Sequence, residues 1–250
     1  MDIDRHLRAL AEEGERLADA ATGTSLGTAI PTCPGWDVEA LLRHLGGIHR
    51  WAAMIVAERR TTPVRTDAEP IRTMRAEPAP SELVAWFRAG HGALLDVLRA
   101  APSDLECWTF LPAPSPLAFW ARRQAHETAV HRADLQLAIG TPDPYPPDFA
   151  ADGIDEMLCG WLDGSKGRLR FDRTATLAIH AADADRRWHV RIDSHEARAS
   201  REEAPADCQL RGPAGDLYLL LWNRLSLDQT TIAVSGDAEV PDLWRQTVRI

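Results

Sequence analysis

The chain has few cysteines, and they are spread out. Cys33, Cys107, Cys159 and Cys208 are the only four in 250 residues, and no two form a CxxC pair. That spacing offers neither a disulfide framework nor a cysteine zinc site, so buried structural thiols are expected. Lysine, tyrosine and phenylalanine are also sparse, whereas Ala, Arg, Asp and Trp are abundant, which fits translation from GC-rich DNA. There is no excess of positive charge. The formal net charge of −9 argues against nucleic acid or an anionic membrane surface as the main partner. No apolar run approaches a membrane span, and Met1-Asp2-Ile3-Asp4-Arg5 lacks both the basic start and the apolar core of a signal peptide. A cytoplasmic protein is therefore expected. With 45% hydrophobic and 26% charged residues, the chain can bury a substantial core.

Most of what is present is helical. Ile3 to about Ala21 carries apolar residues at helical spacing (Ile3, Leu7, Leu10, Leu17). The turn-rich stretch Pro31-Thr32-Cys33-Pro34-Gly35-Trp36-Asp37 then leads into a second helix, with Asp37 suited to its N-cap. That helix runs from Val38 to about Arg59 on a core face of Val38, Leu41, Leu42, Leu45, Ile48 and Ile55, with His44 beside this face. Gly46-Gly47 inside it costs about 1 kcal/mol per glycine relative to alanine, tolerable where another group must approach closely. Residues from Thr61 to Pro80 read as a long loop, of the kind that forms a lid or part of a binding site. Ser81 is expected to cap a third helix from Glu82 to about Arg99, and a Pro-free run from about Leu117 to Ile139 reads as a fourth.

Four helices so connected predict a bundle over residues 1–143. The segment Gly140-Thr141-Pro142-Asp143-Pro144-Tyr145-Pro146-Pro147 reads as a linker into a second domain over residues 144–250. A helix from Asp148 to about Leu162 opens that domain. Thr174–His180 and Arg187–Ile192 alternate like a hairpin, and Ala197–Arg201 and Cys208–Arg211 suit further short strands. An apolar helix near Leu217–Arg224, a strand Thr231–Ser235 and a helix near Val240–Thr247 complete it. The fold class is thus α+β in two domains.

The chemistry concentrates in Arg122-Arg123-Gln124-Ala125-His126-Glu127-Thr128-Ala129-Val130-His131-Arg132-Ala133-Asp134. Glu127 and His131 are four apart, one turn along the same helix face, and together can grip a borderline-soft divalent ion such as zinc. Two ligands do not make a site; His44 is the best third. Two histidines and one carboxylate leave an open position on a tetrahedral zinc, the arrangement of a catalytic site. Asp134 and Asp37 are candidates for an outer carboxylate. His126 lies about 140° round the helix from His131 and is expected to face away, in a surface or capping role. Trp36 reads as a packing anchor, and Arg132 and Asp134 as part of an ion-pair network within the bundle.

Pro31-Thr32-Cys33-Pro34-Gly35-Trp36-Asp37-Val38 followed by Leu41-Leu42-Arg43-His44-Leu45, together with Glu127-Thr128-Ala129-Val130-His131-Arg132-Ala133-Asp134, resembles the mycothiol-dependent maleylpyruvate isomerase family. That family belongs to the DinB-like metal-binding bundles of actinobacteria. The resemblance covers the whole chain and implies a DinB-like four-helix bundle followed by a small sterol-carrier-like α+β domain. It also implies that His44, Glu127 and His131 hold zinc or another divalent metal, and that mycothiol is the cosubstrate whose thiol binds there. Family enzymes bring an arginine from the second domain toward the active site, and Arg224 is the matching position. Many family members share the metal motif and have no assigned reaction, so isomerase and thiol S-transferase both stand.

The expected function is a zinc-dependent, mycothiol-using enzyme that turns the thiol into a metal-bound thiolate for attack on a small electrophile. The alternative is a non-catalytic small-molecule binding or regulatory protein with a structural metal. The expected partners are a small electrophile and a low-molecular-weight thiol, with no nucleic acid and no membrane, and the chain a monomer or weak dimer.

Overall fold

The structure, a computed structural model, describes residues 1–65, 72, 78–162 and 169–248. It separates into two compact units, Met1–Asp143 and Pro144–Ile250. Most of the long loop expected from Thr61 to Pro80 lies outside the described residues.

The first unit is built on four long helices, α1 (Ile3–Thr22), α2 (Val38–Ala57), α3 (Leu83–Ala100) and α4 (Pro116–Ile139). Their starts follow from local chemistry. The carboxylates of Asp2 and Asp37 accept from the backbone N–H groups of Arg5 and Ala40, each at 2.8 Å, and the Ser115 hydroxyl accepts from Ala118 at 3.1 Å. The third helix starts differently from the sequence expectation. Pro80 already has a helical φ and lacks an N–H, so winding begins in a 3₁₀ turn, Pro80–Glu82, and Ser81 lies inside that turn instead of capping.

Helix α1 lies along α4, and α2 along α3. Leu17, Leu41, Leu42, Leu45, Phe87 and Leu135 from the four helices form a continuous core. A Cβ at Gly46 would overlap the ring of Trp86, which explains a glycine in the middle of α2.

Helix α4 has no solvent face along most of its length; Arg123, Gln124, His126, Thr128, Arg132 and Asp134 are all buried. Such groups must find partners inside the protein. Arg132 donates its Nε to Glu13 Oε2 on α1 at 2.6 Å, and its Nη1 to Gln136 Oε1 and to the Asp143 carbonyl.

The second unit opens with α5 (Pro147–Glu156), which continues as a π-helical turn (Met157–Leu162) instead of one regular helix. Five strands follow the order β3-β2-β1-β4-β5: β1 (Ala175–Ala181), β2 (Arg186–Ile192), β3 (Ala197–Ser200), β4 (Cys208–Gly212) and β5 (Ala233–Gly236). The β1–β2 hairpin pairs Ala175 with Ile192 through Ala181 with Arg186, while β1 and β4 are parallel. Leu177, Ile179, Trp188, Val190 and Ile192 line the buried face of that hairpin.

Helix α6 (Ala214–Leu221) begins after Pro213 and stops before Asn223, whose φ of 58° is one that asparagine adopts more readily than most residues. The helix expected near Leu217–Arg224 therefore begins and ends three residues earlier. Helix α7 (Glu239–Thr247) closes the unit. Among the described residues, no helix is long and apolar enough to cross a membrane.

Candidate metal centre

The loop before α2 is held in shape by its own backbone. Ile30 N–H donates to the Trp36 carbonyl at 2.9 Å, and Trp36 N–H returns to Cys33 at 2.9 Å. Pro34 and Gly35 occupy the centre of that turn, with Gly35 at φ 85°, the pattern of a type II turn. The turn thereby presents Thr32, Cys33 and Trp36 together. Thr32 Oγ1 donates to Asp134 Oδ1 at 2.6 Å and Cys33 Sγ donates to Asp134 Oδ2 at 3.4 Å. The indole of Trp36 lies 4.7 Å from the His44 ring and stacks on His131 at 5.9 Å and 20°.

Under this indole, His44, Glu127 and His131 converge. Their ligand atoms all lie within 4.8 Å of one another. His44 Nε2 is 3.4 Å, and His131 Nε2 3.6 Å, from the same oxygen, Glu127 Oε1. Both separations exceed those of ordinary N–H···O bonds, at about 2.7–3.2 Å. They approach the edge of a tetrahedron around zinc, which for bonds of about 2.0–2.1 Å is about 3.3–3.4 Å.

The surrounding groups select these atoms. His131 Nδ1 lies 2.8 Å from Asp134 Oδ2, the contact that places a proton on Nδ1 and directs the Nε2 lone pair toward Glu127. Arg123, buried, donates Nη2 to Glu127 Oε2 at 3.1 Å and leaves Oε1 to the histidines. The residues present therefore fit a divalent ion of the zinc type. The side chains of His44 and Glu127 are 27% and 23% exposed against 10% for His131, so the open side of the cluster is at the first two.

Charge is balanced here by close pairing. Burial alone would raise the Glu127 carboxyl, yet hydrogen bonds with His131 and His44 and the charge of Arg123 hold it well below the usual range. Burial opposes a charge on His131, but bonds to Asp134, Cys33 and Glu127 hold its pKa well above the ordinary value. These contacts favour a charged His131 between carboxylates, and an ion entering the cluster would compete with that proton.

Arg224 belongs to the other unit, in the turn after α6. Its N–H donates to the Leu219 carbonyl at 2.8 Å and its Nη1 to the Trp222 carbonyl at 2.7 Å. His126 corrects the sequence expectation: it is fully buried, its ring 6.1 Å from His6 in an edge-on contact, because α4 has no surface to offer it. Asp37 serves as a helix cap, whereas Asp134 is the carboxylate behind His131.

Two neighbours went unread in the sequence. Arg123 is four residues before Glu127, a spacing that could have revealed it. Thr32 carried no signal, since its contact with Asp134 spans 102 residues.

Comparison with known proteins bears on the family and the fold. The model of the mycothiol maleylpyruvate isomerase N-terminal domain matches residues 7–136, and that of the MDMPI C-terminal domain matches residues 148–243. No curated protein sequence matches the chain significantly. The crystal structure of the mycothiol-dependent maleylpyruvate isomerase superposes with a TM-score of 0.66 at 12% identity, covering 95% of each chain. A histidine-to-alanine variant of that enzyme gives the same TM-score, identity and coverage. At such identity the superposition establishes a shared α+β two-domain fold, and the two family models span nearly the whole sequence. The chain belongs to the mycothiol-dependent maleylpyruvate isomerase family.

Proposed function

We propose that this protein is a zinc-dependent enzyme that uses mycothiol, acting as a maleylpyruvate-type cis–trans isomerase or as a thiol S-transferase. The observation that carries the proposal is the convergence of His44 Nε2 and His131 Nε2 on Glu127 Oε1 at 3.4 and 3.6 Å, with an exposed side. His44, Glu127 and His131 are the assigned ligands. Bound there, zinc would supply the positive charge that turns a thiol of ordinary pKa about 8.5 into a thiolate at neutral pH.

The chain's own residues do the rest. Asp134 holds the Nδ1 proton of His131 and so fixes which nitrogen faces the site. Arg123 keeps the Glu127 carboxylate oriented. Trp36 roofs His44 and His131 and keeps water from one side of the cluster. Arg224 is assigned to pair a carboxylate of the electrophile, a bidentate task suited to a guanidinium. An electrophilic double bond that accepts and then releases the thiol would be isomerised; one that retains it would leave as a conjugate.

The test is elemental analysis of the purified protein followed by calorimetric titration with mycothiol. About one zinc per chain and thiol-dependent heat support the proposal and justify a screen of electrophiles. Metal without thiol binding removes mycothiol from it, and absence of metal from zinc-supplemented preparations overturns it.

A further inference from the structure

The C-terminal unit contains a cavity of about 230 Å³ between its sheet and its last helix. The floor is apolar and buried: Leu177 and Leu210 from the adjacent parallel strands β1 and β4, Leu221 from the end of α6, and Trp244 from α7. Trp244 already donates its Nε1 to the Leu221 carbonyl at 2.9 Å, so its indole N–H is spent and its ring carbons supply wall. Half-buried Leu225 and Leu227 extend this wall outward.

The rest of the lining is different. Asp228, Asp242 and Arg245 are exposed, and they bring two negative charges against one positive. Among the described residues Asp242 has no ion-pair partner, whereas the charge of Arg245 acts on Asp228. The Ser226 hydroxyl, and then the charge of Arg245, favour the ionised form of Asp228. With Arg245 set against Asp228, Asp242 is the carboxylate in excess, and an uncompensated carboxylate beside an apolar pocket is poised to receive a cationic head group.

We propose that this cavity is a binding site for a small apolar amine, whose hydrocarbon body fills the leucine-and-tryptophan floor and whose ammonium head is held by Asp228 and Asp242. The size follows from volume: a dry cavity of about 150 Å³ accepts benzene, so 230 Å³ has room for one ring and a short arm. The sign of the head follows from the excess carboxylate, since an anionic head reaching Arg245 would also face two carboxylates. Asn223 and Leu225 both line the cavity, with Arg224 between them, so an occupant braces the turn that carries Arg224. The site lies wholly within the C-terminal unit and does not depend on the metal centre.

The experiment is calorimetry on the full chain with three probes that share a phenylethyl body and differ in head group: 2-phenylethylamine, 3-phenylpropionate and 2-phenylethanol. The amine should bind with a dissociation constant below about 1 mM, and the carboxylate about tenfold more weakly or not at all. Asp242→Asn changes an exposed side chain and should weaken the amine by about fivefold while leaving the alcohol unaffected. Leu227→Trp should fill the outer cavity and remove binding of all three. The proposal fails if no probe gives heat, if the carboxylate matches the amine, if Asp242→Asn leaves the amine unchanged, or if binding survives Leu227→Trp.

Discussion

The imidazole Nε2 of His49 meets the hydroxyl of Thr128 at 2.9 Å, joining α2 to α4 within the buried interior. Thr128 spends its own proton on the Gln124 carbonyl at 2.7 Å, so it accepts from His49, and the histidine carries its hydrogen on Nε2. His49 follows His44 on α2, and Thr128 is the residue after Glu127. The bond therefore ties together the two helices that bring His44 to Glu127.

Thr128→Val keeps the shape of the side chain and strands the His49 N–H. Loss of about 1–3 kcal/mol of stability is expected by urea denaturation. Combining it with His49→Phe should recover part of that loss, because both polar partners are then gone. Additive losses in the double-mutant cycle would show that the two side chains do not act as a pair.

The same histidine predicts an acid response. Burial, and then the proximity of His91, push the His49 pKa well below its ordinary value; burial likewise lowers His91. Their folded pKa values are depressed, so below the unfolded value of about 6.5 the unfolded chain binds more protons. The stability belonging to the neutral rings is fully present above that pH and declines as pH falls below it. Urea midpoints measured from pH 8 to pH 5 should drop below about pH 6.5, and His91→Gln should flatten the slope.

Removal of a ligand should remove the metal. His44→Ala and His131→Ala are each expected to lose stoichiometric zinc by elemental analysis, and retention by either excludes it from the site. Asp134→Asn should keep the site but weaken zinc by about 10- to 100-fold in chelator competition, since the Nδ1 proton loses its charged acceptor.

Arg224→Ala is expected to lower turnover with metal content intact. Leaving Trp222's carbonyl without its guanidinium partner should alter stability little, because the contact is only partly buried. Unchanged turnover with an identified electrophile would withdraw Arg224 from substrate binding.

What the sequence revealed was local. Glu127 and His131 are readable as one face because helix geometry relates residues four apart, and Asp37 as a cap because capping spans three residues. The β1–β2 alternation is similarly visible, since one sheet face is buried and the other is more open. Ser81 was misread because Pro80 competes to start the turn. His126 was misread because helical periodicity assumes a wet side, and α4 has almost none. Thr32 was invisible: its partner is distant along the chain and near only after folding.

The bond from Thr32 to Asp134 also constrains the order of events during folding. It closes 102 residues of chain, and the contact of His44 with Glu127 closes 83 of those same residues. Contacts of such separation form only after the loop-closure entropy has been overcome by packing of the helices between them. The cluster is consequently a late product of folding, absent from a nascent chain until α4 has emerged and docked. An ion held by all three ligands reports that α2 and α4 have docked.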